Sequence, residues 1–267
     1  MTAQAQTQSD APLVLRDDVD GVTTLTLNRP DQRNALSVGL MSALQAEIDA
    51  ITDVASVRAF VIAANGPGFC AGHDLKEIRA NPGREASEAL FAQCSKLMLS
   101  ITQLPQPVIA RIHALATAAG CQLVATCDLA VASRSSWFAT PGVHIGLFCS
   151  TPMVALSRNV GRKQAMQMLL TGDRVEPEQA LEWGLVNEVV DDDKLDDAVG
   201  AMADKIKSKS PLTLSIGKQA FYKQVEMDIA SAYDFASETM TRNMLARDAE
   251  EGIDAFIEKR EPKWEGR

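Results

Sequence analysis

The chain has 267 residues, of which 46% are hydrophobic and 23% charged, and its formal net charge is −9. This composition is ordinary for a globular protein, and the length suits one large domain or two smaller ones. The negative charge argues against nucleic acid and against an anionic membrane surface as partners. No apolar run reaches the ~18 residues that a transmembrane helix needs.

The five cysteines are scattered along the chain, and none forms a CxxC pair or a Cys/His cluster with metal-ligand spacing. We therefore expect no metal site and reduced thiols, which indicate a cytoplasmic protein. Residues 1–10 are polar and contain no arginine. We interpret them as a flexible tail and not as a targeting segment.

Strand and helix patterns alternate through the first ~200 residues, which predicts an α/β architecture. Residues 138–150 are rich in Gly and Pro and are predicted to be an irregular loop. From Ser210 onward the pattern is helical only, so we divide the chain into a core of 11–205 and a C-terminal helical region of 206–267. The predicted strands are 21–27, 57–64, 108–112, 128–133 and 185–190, and the predicted helices are 38–51, 85–102, 120–127, 151–160, 163–170 and 176–184.

The segment NGPGFCAGHDLKEI, residues 65–78, leads from a predicted strand through three glycines into a helix. Small residues also crowd a second predicted helix start, at 118–120. A helix start leaves unpaired N–H groups, and glycine permits the bends that bring such groups together. The two starts could direct N–H groups at one carbonyl oxygen and form an oxyanion hole. The alternative is an ordinary connection in which Asp74 is only a helix-start charge.

Several motifs occur in order over residues 13–262: NRPxxxNAL, FCAGHDLKE, GCQL…CDLAVA, FATPGVHIGLFCSTP, ALEWGLVNEVV and EGIDAFIEKR. Together they resemble the crotonase (enoyl-CoA hydratase/isomerase) superfamily. Within it, ATAAGCQL and FATPG–GLFCSTP resemble the group called enoyl-CoA hydratase domain-containing protein 3. The resemblance implies a ββα spiral core with a C-terminal helical trimerisation region, and assembly as a homotrimer or a hexamer.

The resemblance also implies that the protein binds an acyl-CoA thioester as substrate or ligand, with no separate cofactor. By motif position, the backbone N–H groups of His73 and Ala119 would hold the thioester oxygen and stabilise an enolate. Pantetheine would lie near residues 71–75, and the phosphates or adenine near basic residues. The implied CoA-binding residues are Arg33, Ala35, Ala71, His73, Asp74, Leu75, Lys76, Phe256 and Lys259.

Two positions depart from the family pattern. Hydratases of the family carry one glutamate where this chain has Gln122 and a second where it has Gly142. A carboxamide can orient water but cannot accept its proton, and glycine offers no side chain. The sequence thus predicts the pocket but makes ordinary enoyl-CoA hydration doubtful.

Two alternatives remain at this point. Methylmalonyl-CoA decarboxylase of the same superfamily also has AGHD, which favours a malonyl-type decarboxylase. The chain could instead be a non-catalytic acyl-CoA binding protein that keeps the fold without the chemistry. The side chains of His73 and His144 are expected to pack or to form structural hydrogen bonds, and nucleophilic catalysis by Cys149 or Ser150 lacks an adjacent base in the sequence.

Overall fold

Two sheets form the centre of the part of the chain that a computed structural model describes, residues 11–52 and 54–267. The predicted tail, 1–10, lies outside the described residues. The strands are β1 (Val14–Val19), β2 (Val22–Leu27), β3 (Ala59–Ala64), β4 (Gly68–Cys70), β5 (Val108–Ile112), β6 (Leu115–Thr117), β7 (Leu129–Ser133), β8 (Trp137–Ala139) and β9 (Glu188–Val190). The larger sheet has the order β1-β2-β3-β5-β7-β9 and the smaller β4-β6-β8, and every neighbouring pair is parallel except β1 and β2.

Helices follow the strands and then make up the C-terminal part. Their bounds are α1 (Val38–Ile51), α2 (Leu75–Ala80), α3 (Arg84–Gln103), α4 (Ala119–Thr126), α5 (Ser150–Asn159), α6 (Arg162–Thr171), α7 (Pro177–Trp183), α8 (Leu195–Lys207), α9 (Pro211–Gln224), α10 (Ile229–Met244) and α11 (Arg247–Glu258). Short 3₁₀ turns occur at Pro30–Gln32, Pro141–Ile145 and Asp192–Lys194. Helix α1 begins at the predicted cap, since the Ser37 hydroxyl accepts a hydrogen bond from the Leu40 N–H.

The middle of the chain repeats one pattern three times. Each repeat consists of two strands and then a helical segment. The first strands, β3, β5 and β7, belong to the larger sheet, and the second strands, β4, β6 and β8, belong to the smaller sheet. Because each strand pairs in parallel with the equivalent strand of the next turn, the chain advances in one direction as a spiral. This is the ββα spiral that the sequence predicts, within an α/β fold.

The central strands are buried on both faces, as parallel strands are when helices cover them. In β3 the side chains of Phe60 and Ile62 enter the main hydrophobic core. Val61 points to the other face and packs with Leu195 and Val199 of α8. Helix α8 therefore covers one face of the larger sheet at β3, β5 and β7, and α1 packs against β1 and β2.

The structure corrects the predicted elements at several places. The strand predicted at 57–64 begins at Ala59, and the one predicted at 185–190 is limited to Glu188–Val190. The predicted loop 138–150 contains the end of β8 and a 3₁₀ turn, and β1, β4, β6 and β8 were not predicted. Helix α8 runs through the boundary placed at 205, so the chain leaves it only after Lys207. The division into two regions stays a prediction.

Helix α9 is fixed to the core by a buried lysine. The Lys218 ammonium lies 2.7 Å from the Asp128 carboxylate and also donates to the carbonyls of Ile101 and Gln106. The Tyr222 hydroxyl donates to the other oxygen of Asp128 at 2.9 Å. Burial lowers the pKa of Lys218, and the charge of Asp128 opposes that shift. We refer to these three side chains as the α9 clamp.

Candidate functional site

The chain before α1 pairs with the chain before α2. The Ala71 N–H donates to the Arg33 carbonyl at 3.0 Å, and the Leu36 N–H donates to the Gly72 carbonyl at 2.7 Å. The Leu36 carbonyl accepts the Asp74 N–H. Because successive N–H groups of an extended chain point to opposite sides, the His73 N–H points away from Leu36. It donates no hydrogen bond to any residue in the described ranges.

A second free N–H lies beside the first because of Gly72. Its φ is +91°, and a Cβ built on it would lie 2.8 Å from the Ala118 Cβ and 3.2 Å from the Ala119 nitrogen. Only glycine permits both that backbone conformation and that approach. The segments that carry the N–H groups of His73 and Ala119 are therefore packed against each other.

The start of α4 is held open by an unusual conformation. Ala118 has φ 51° and ψ −119° and provides no side-chain cap, so no described group accepts the Ala119 N–H. Gly120 has no room for a side chain, because an added Cβ would collide with the Cys70 carbonyl. Strained residues of this kind cluster at functional sites, where the surroundings enforce them. The result is an uncapped helix N-terminus with the positive end of its dipole at the site.

The start of α2 is closed by Asp74. Its carboxylate caps the helix by accepting the N–H groups of Lys76 and Glu77 and also lies 3.0 Å from the Arg29 guanidinium. Burial raises the pKa of the Asp74 carboxyl, but the hydrogen bonds from Arg29 and from the Glu77 N–H outweigh it, so the pKa lies below its usual value. Of the two helix starts predicted to offer N–H groups, only that of α4 does so. The free His73 N–H belongs to the residue before the Asp74 cap and therefore lies outside α2.

The His73 ring is partly buried between the pairing segment and α3. Its Nδ1 lies 3.4 Å from the Leu36 carbonyl, and the ring meets Phe91 edge-on with centroids 5.7 Å apart. Burial lowers the pKa of His73, and the Leu36 carbonyl and Glu77 offset this only in part. The imidazole is therefore neutral at pH 7, and its Nε2 has no described partner.

The positions of the family glutamates hold no charge. Gln122 lies in the first turn of α4, is 4% exposed, and its carboxamide makes no hydrogen bond with a described residue. Gly142 is buried against the loop that follows it, since an added Cβ would lie 2.6 Å from the Leu147 carbonyl oxygen and 2.9 Å from the Cys149 sulfur. Its φ is not positive. Packing, and not backbone conformation, excludes a side chain there.

Comparison with known proteins decides the family. A sequence profile of the enoyl-CoA hydratase/isomerase family matches residues 17–267. The chain belongs to the enoyl-CoA hydratase/isomerase family. The fold agrees, because the crystal structure of an enoyl-CoA hydratase from Mycobacterium smegmatis superimposes with a TM-score of 0.93 at 56% identity, covering 95% of this chain and 99% of that one.

The motifs suggested the group called enoyl-CoA hydratase domain-containing protein 3, and proteins of that group are among the relatives of this chain. Human enoyl-CoA hydratase domain-containing protein 3, mitochondrial, is 47% identical over 92% of this chain and 81% of that protein. Its crystal structure matches with a TM-score of 0.92 and 46% identity, covering 94% of this chain and 100% of that one. The cytoplasmic location predicted for this chain stays a prediction. No helix among the described residues has both the length and the apolarity to cross a membrane.

The structure brings most of the predicted CoA-binding residues of this family member together and leaves two apart. The pairing of 33–36 with 71–74 gathers Arg33, Ala35, Ala71, His73 and Asp74, and Leu75 and Lys76 follow on the exposed start of α2. Phe256 and Lys259 instead lie on and just after α11, which packs against α9 and α10. Phe256 is 85% exposed there.

Sequence reasoning missed two residues that shape the site. Arg29 holds the Ala35 carbonyl as well as Asp74. Asn34 is fully buried with φ 53°, and its amide donates to the carbonyls of Asn65 and Gly68. Both belong to the NRPxxxNAL motif. An Arg and an Asn in one polar turn were the sequence signal that could have identified them as structural residues of the site.

Other predicted side chains have structural surroundings. The His144 ring contacts the Gly172 carbonyl at 3.3 Å. Burial raises the pKa of the Cys149 thiol and the Gly142 N–H offsets this only in part, so the thiol is protonated and unreactive at pH 7. The Ser150 hydroxyl donates to the Phe148 carbonyl. Cys121 and Cys127 are buried in the core.

Proposed function

We propose that this member of the enoyl-CoA hydratase/isomerase family is an acyl-CoA-processing enzyme that stabilises a thioester enolate with the N–H groups of His73 and Ala119. The observation that supports it is the free pair of N–H groups, packed together through Gly72. Two preorganised donors aimed at a developing oxyanion contribute strongly to catalysis, because they need no reorganisation during the reaction. The open α4 dipole favours the same negative charge.

Ordinary hydration of an enoyl-CoA fits this site poorly. Adding water requires a group that takes a proton from it and a group that gives one to the substrate, each worth about 10²–10⁴ in rate. Gln122 and Gly142 supply neither. The enzyme would therefore act as a lyase or isomerase with weak or non-standard hydratase activity.

The binding step has a direct test. We expect acetyl-CoA and crotonyl-CoA to bind in calorimetry, and the infrared band of a ¹³C-labelled thioester carbonyl to move to lower frequency when bound, because two N–H groups polarise it. Failure of both thioesters to bind at millimolar concentration would end the acyl-CoA assignment. Binding without a band shift would keep the ligand and remove the oxyanion hole.

A second candidate is decarboxylation of a malonyl-type acyl-CoA, which is favoured by the absence of charge at Gln122 and Gly142. In that reaction the bond from C2 to the carboxyl carbon breaks, CO₂ leaves, and the electron pair forms the thioester enolate. C2 then takes a proton from water. The step needs an oxyanion hole and no strong base, and a carboxylate at either position would repel the substrate.

Mass spectrometry of a panel of CoA thioesters after incubation separates the candidates. Loss of CO₂ identifies a decarboxylase and gain of water a hydratase. An unchanged panel with measurable binding identifies a non-catalytic acyl-CoA binding protein.

We further propose that the protein assembles as a homotrimer or a hexamer, with CoA phosphates near Arg33, Lys76 and Lys259. The C-terminal helices expose far more apolar side chains than a monomer usually does. The exposed residues include Phe221, Val225, Ile229, Tyr233, Met240, Met244, Phe256 and Ile257. Light scattering should give three or six times the chain mass of 28.8 kDa, and a monomer at micromolar concentration would contradict the assembly.

A further inference from the structure

Part of the larger sheet lacks a covering helix on the face that carries α8. Helix α8 packs on β3, β5 and β7 there, whereas α1 packs on the opposite face of β1 and β2. In the described part of the chain, no other helix packs closely on β1 or β2. Parallel strands are normally covered on both faces, and β2 pairs in parallel with β3. The α8 face of β1 and β2 is therefore an open sheet surface.

A groove of about 520 Å³ lies on this surface between α8 and β2, and we call it the α8 groove. Strand side chains form its floor and small side chains of the helix form its wall: Thr24 and Thr26 of β2, Ala63 of β3, and Val199, Gly200 and Ala203 of α8. Strand β1 extends the floor with two exposed apolar side chains, Leu15 and Val19, on the same face. None of the groove residues belongs to the candidate site.

Gly200 keeps the wall of the groove low in the middle of α8. It is exposed, and a Cβ added to it would meet no atom within 4 Å. Glycine is unfavourable inside a helix, and at this position neither a close contact nor a positive φ requires it. Its effect on the structure is to leave space beside the helix.

The α8 groove has the dimensions of a short helix. Because an α-helix rises about 1.5 Å per residue, the wall from Asp196 to Lys207 is about 16 Å long. Neighbouring strands lie about 4.8 Å apart, so β2 lies about 10 Å from β5, which α8 covers. Packed helices have axes about 8–10 Å apart. A second helix beside α8 would therefore lie over β2 and β3 and touch both the sheet and α8.

The rim of the α8 groove is acidic. Its carboxylates are exposed, whereas the cationic groups that they pair with are largely buried: Asp196 pairs with Arg111, and Asp20 and Asp204 pair with Lys207. Asp17 of β1 is also exposed on this face. Complementary charge across an interface favours a partner with lysine or arginine residues and disfavours an acidic one.

We infer that the α8 groove binds an amphipathic helix of a partner protein, with an apolar stripe that faces the sheet and basic residues that face the acidic rim. A helix laid in a groove is a recurring mode of protein recognition, in which apolar side chains at helical spacing enter the groove. The methyl groups of Thr24, Thr26 and Ala63 meet that stripe. The inference does not depend on the proposed function, since the groove and the candidate site share no residue.

The test uses a fluorescent peptide of about 14 residues, made of Leu and Lys in the pattern of an amphipathic helix. A second peptide has Glu in place of every Lys. Fluorescence anisotropy with the full chain gives Kd for each. The Lys peptide should bind at least tenfold more tightly than the Glu peptide.

Gly200→Leu fills the groove and should weaken the Lys peptide at least tenfold. It should not lower Tm, because leucine has a higher helix propensity than glycine. Ala201→Leu is the matched control, since it adds the same side chain to an exposed position of α8 outside the groove lining. Its Kd should stay within about threefold of wild type.

The acidic rim is tested by Asp17→Lys combined with Asp204→Lys. This double variant should weaken the Lys peptide about tenfold and strengthen the Glu peptide, because two exposed carboxylates become ammonium groups.

The inference is wrong if the Lys peptide does not bind at millimolar concentration, or if Gly200→Leu binds it as well as Ala201→Leu does. Equal binding of the two peptides would overturn the basic character of the partner. A mass in light scattering that falls in Gly200→Leu but not in Ala201→Leu would assign the groove to a second copy of this chain instead.

Discussion

Helices α2 and α4 begin on either side of Gly72 and use their first N–H groups in opposite ways. At α2 the Asp74 carboxylate occupies the helix N-terminus, with Arg29 as its counter-ion. At α4 the residue in the cap position, Ala118, has no acceptor to offer, and the Ala119 N–H stays free. The comparison shows that a helix N-terminus near a ligand site is not in itself an anion site. What matters is whether the chain has already placed its own anion there.

The largest effect is expected at Gly72, where the segment before α2 touches the segment before α4. Gly72→Ala introduces a Cβ 2.8 Å from Ala118 in a conformation with φ +91°. Backbone strain costs about 1–3 kcal/mol, and the overlap adds a similar amount. We expect the free energy of unfolding in urea to fall by about 2–5 kcal/mol. Thioester affinity should fall at least 100-fold, because the His73 and Ala119 N–H groups separate.

Gly83→Ala is the control for that change. Gly83 has φ +127° and nothing within 4 Å of an added Cβ, so the variant carries backbone strain without the overlap. Thioester affinity should stay within about threefold of wild type. Equal losses of affinity in the two variants would mean that the contact at Ala118 does not organise the site.

Removing the anion at α2 should have the next largest effect. Asp74→Ala loses the helix cap, worth about 1 kcal/mol, and leaves the largely buried Arg29 without its carboxylate. We expect a loss of about 2–4 kcal/mol in the free energy of unfolding at pH 7. Asp74→Ser keeps a capping oxygen and should therefore lose about 1 kcal/mol less than Asp74→Ala. A loss of the same size in both variants would assign the whole effect to the ion pair.

The Asp74 contribution also has a defined pH window. Because its pKa in the folded protein is depressed, the contribution is fully present above the unfolded pKa of about 3.9. It is lost as pH falls through the folded value. The difference between wild type and Asp74→Ala in urea unfolding should therefore shrink below about pH 4. A difference that is constant from pH 7 to pH 3 would contradict the depressed pKa.

Placing an acid in the open α4 start sharpens the comparison further. Gln122→Glu should raise crotonyl-CoA hydration about tenfold, well below the full contribution of a positioned general base. The shortfall is expected because the new carboxylate lacks supporting residues. Adding Gly142→Glu should reduce folded yield, since its side chain meets the Leu147 carbonyl. Gln122→Met serves as the control without an acid. A Gln122→Glu protein that binds thioesters but gains no rate over Gln122→Met would place the reacting carbons away from α4.

The smallest effect is expected at the His73 side chain, because its backbone N–H is the group proposed to act. His73→Phe should change kcat/KM by less than about tenfold. The depressed pKa of His73 stabilises the fold above the unfolded pKa of about 6.5 and destabilises it as pH falls below that value. Between pH 7.5 and pH 5.5, the Tm of the wild-type protein should therefore fall further than the Tm of His73→Phe. The reverse order would show that the imidazole is charged in the folded protein.

Local signals explain what the sequence could predict. Helix α1 and strand β5 have the predicted bounds, because apolar periodicity and the Ser37 cap lie within the elements themselves. Strands β4, β6 and β8 were missed as separate elements, since three residues are too few to show a period. The candidate N–H groups came from the family resemblance. Their packing through Gly72, and the pairing of Arg29 with Asp74 45 residues away, depend on contacts that no local pattern contains.

The α9 clamp bears on how the chain folds as it is made. Asp128 lies just before β7 and also accepts the Val108 N–H of β5, so it joins two central strands. Its counter-ion and its hydroxyl partner, Lys218 and Tyr222, follow about 90 residues later. In a nascent chain that ends before α9, water must solvate this carboxylate in place of Lys218 and Tyr222. The strands β5 and β7 can therefore gain the stabilisation from this ion pair only after α9 has left the ribosome.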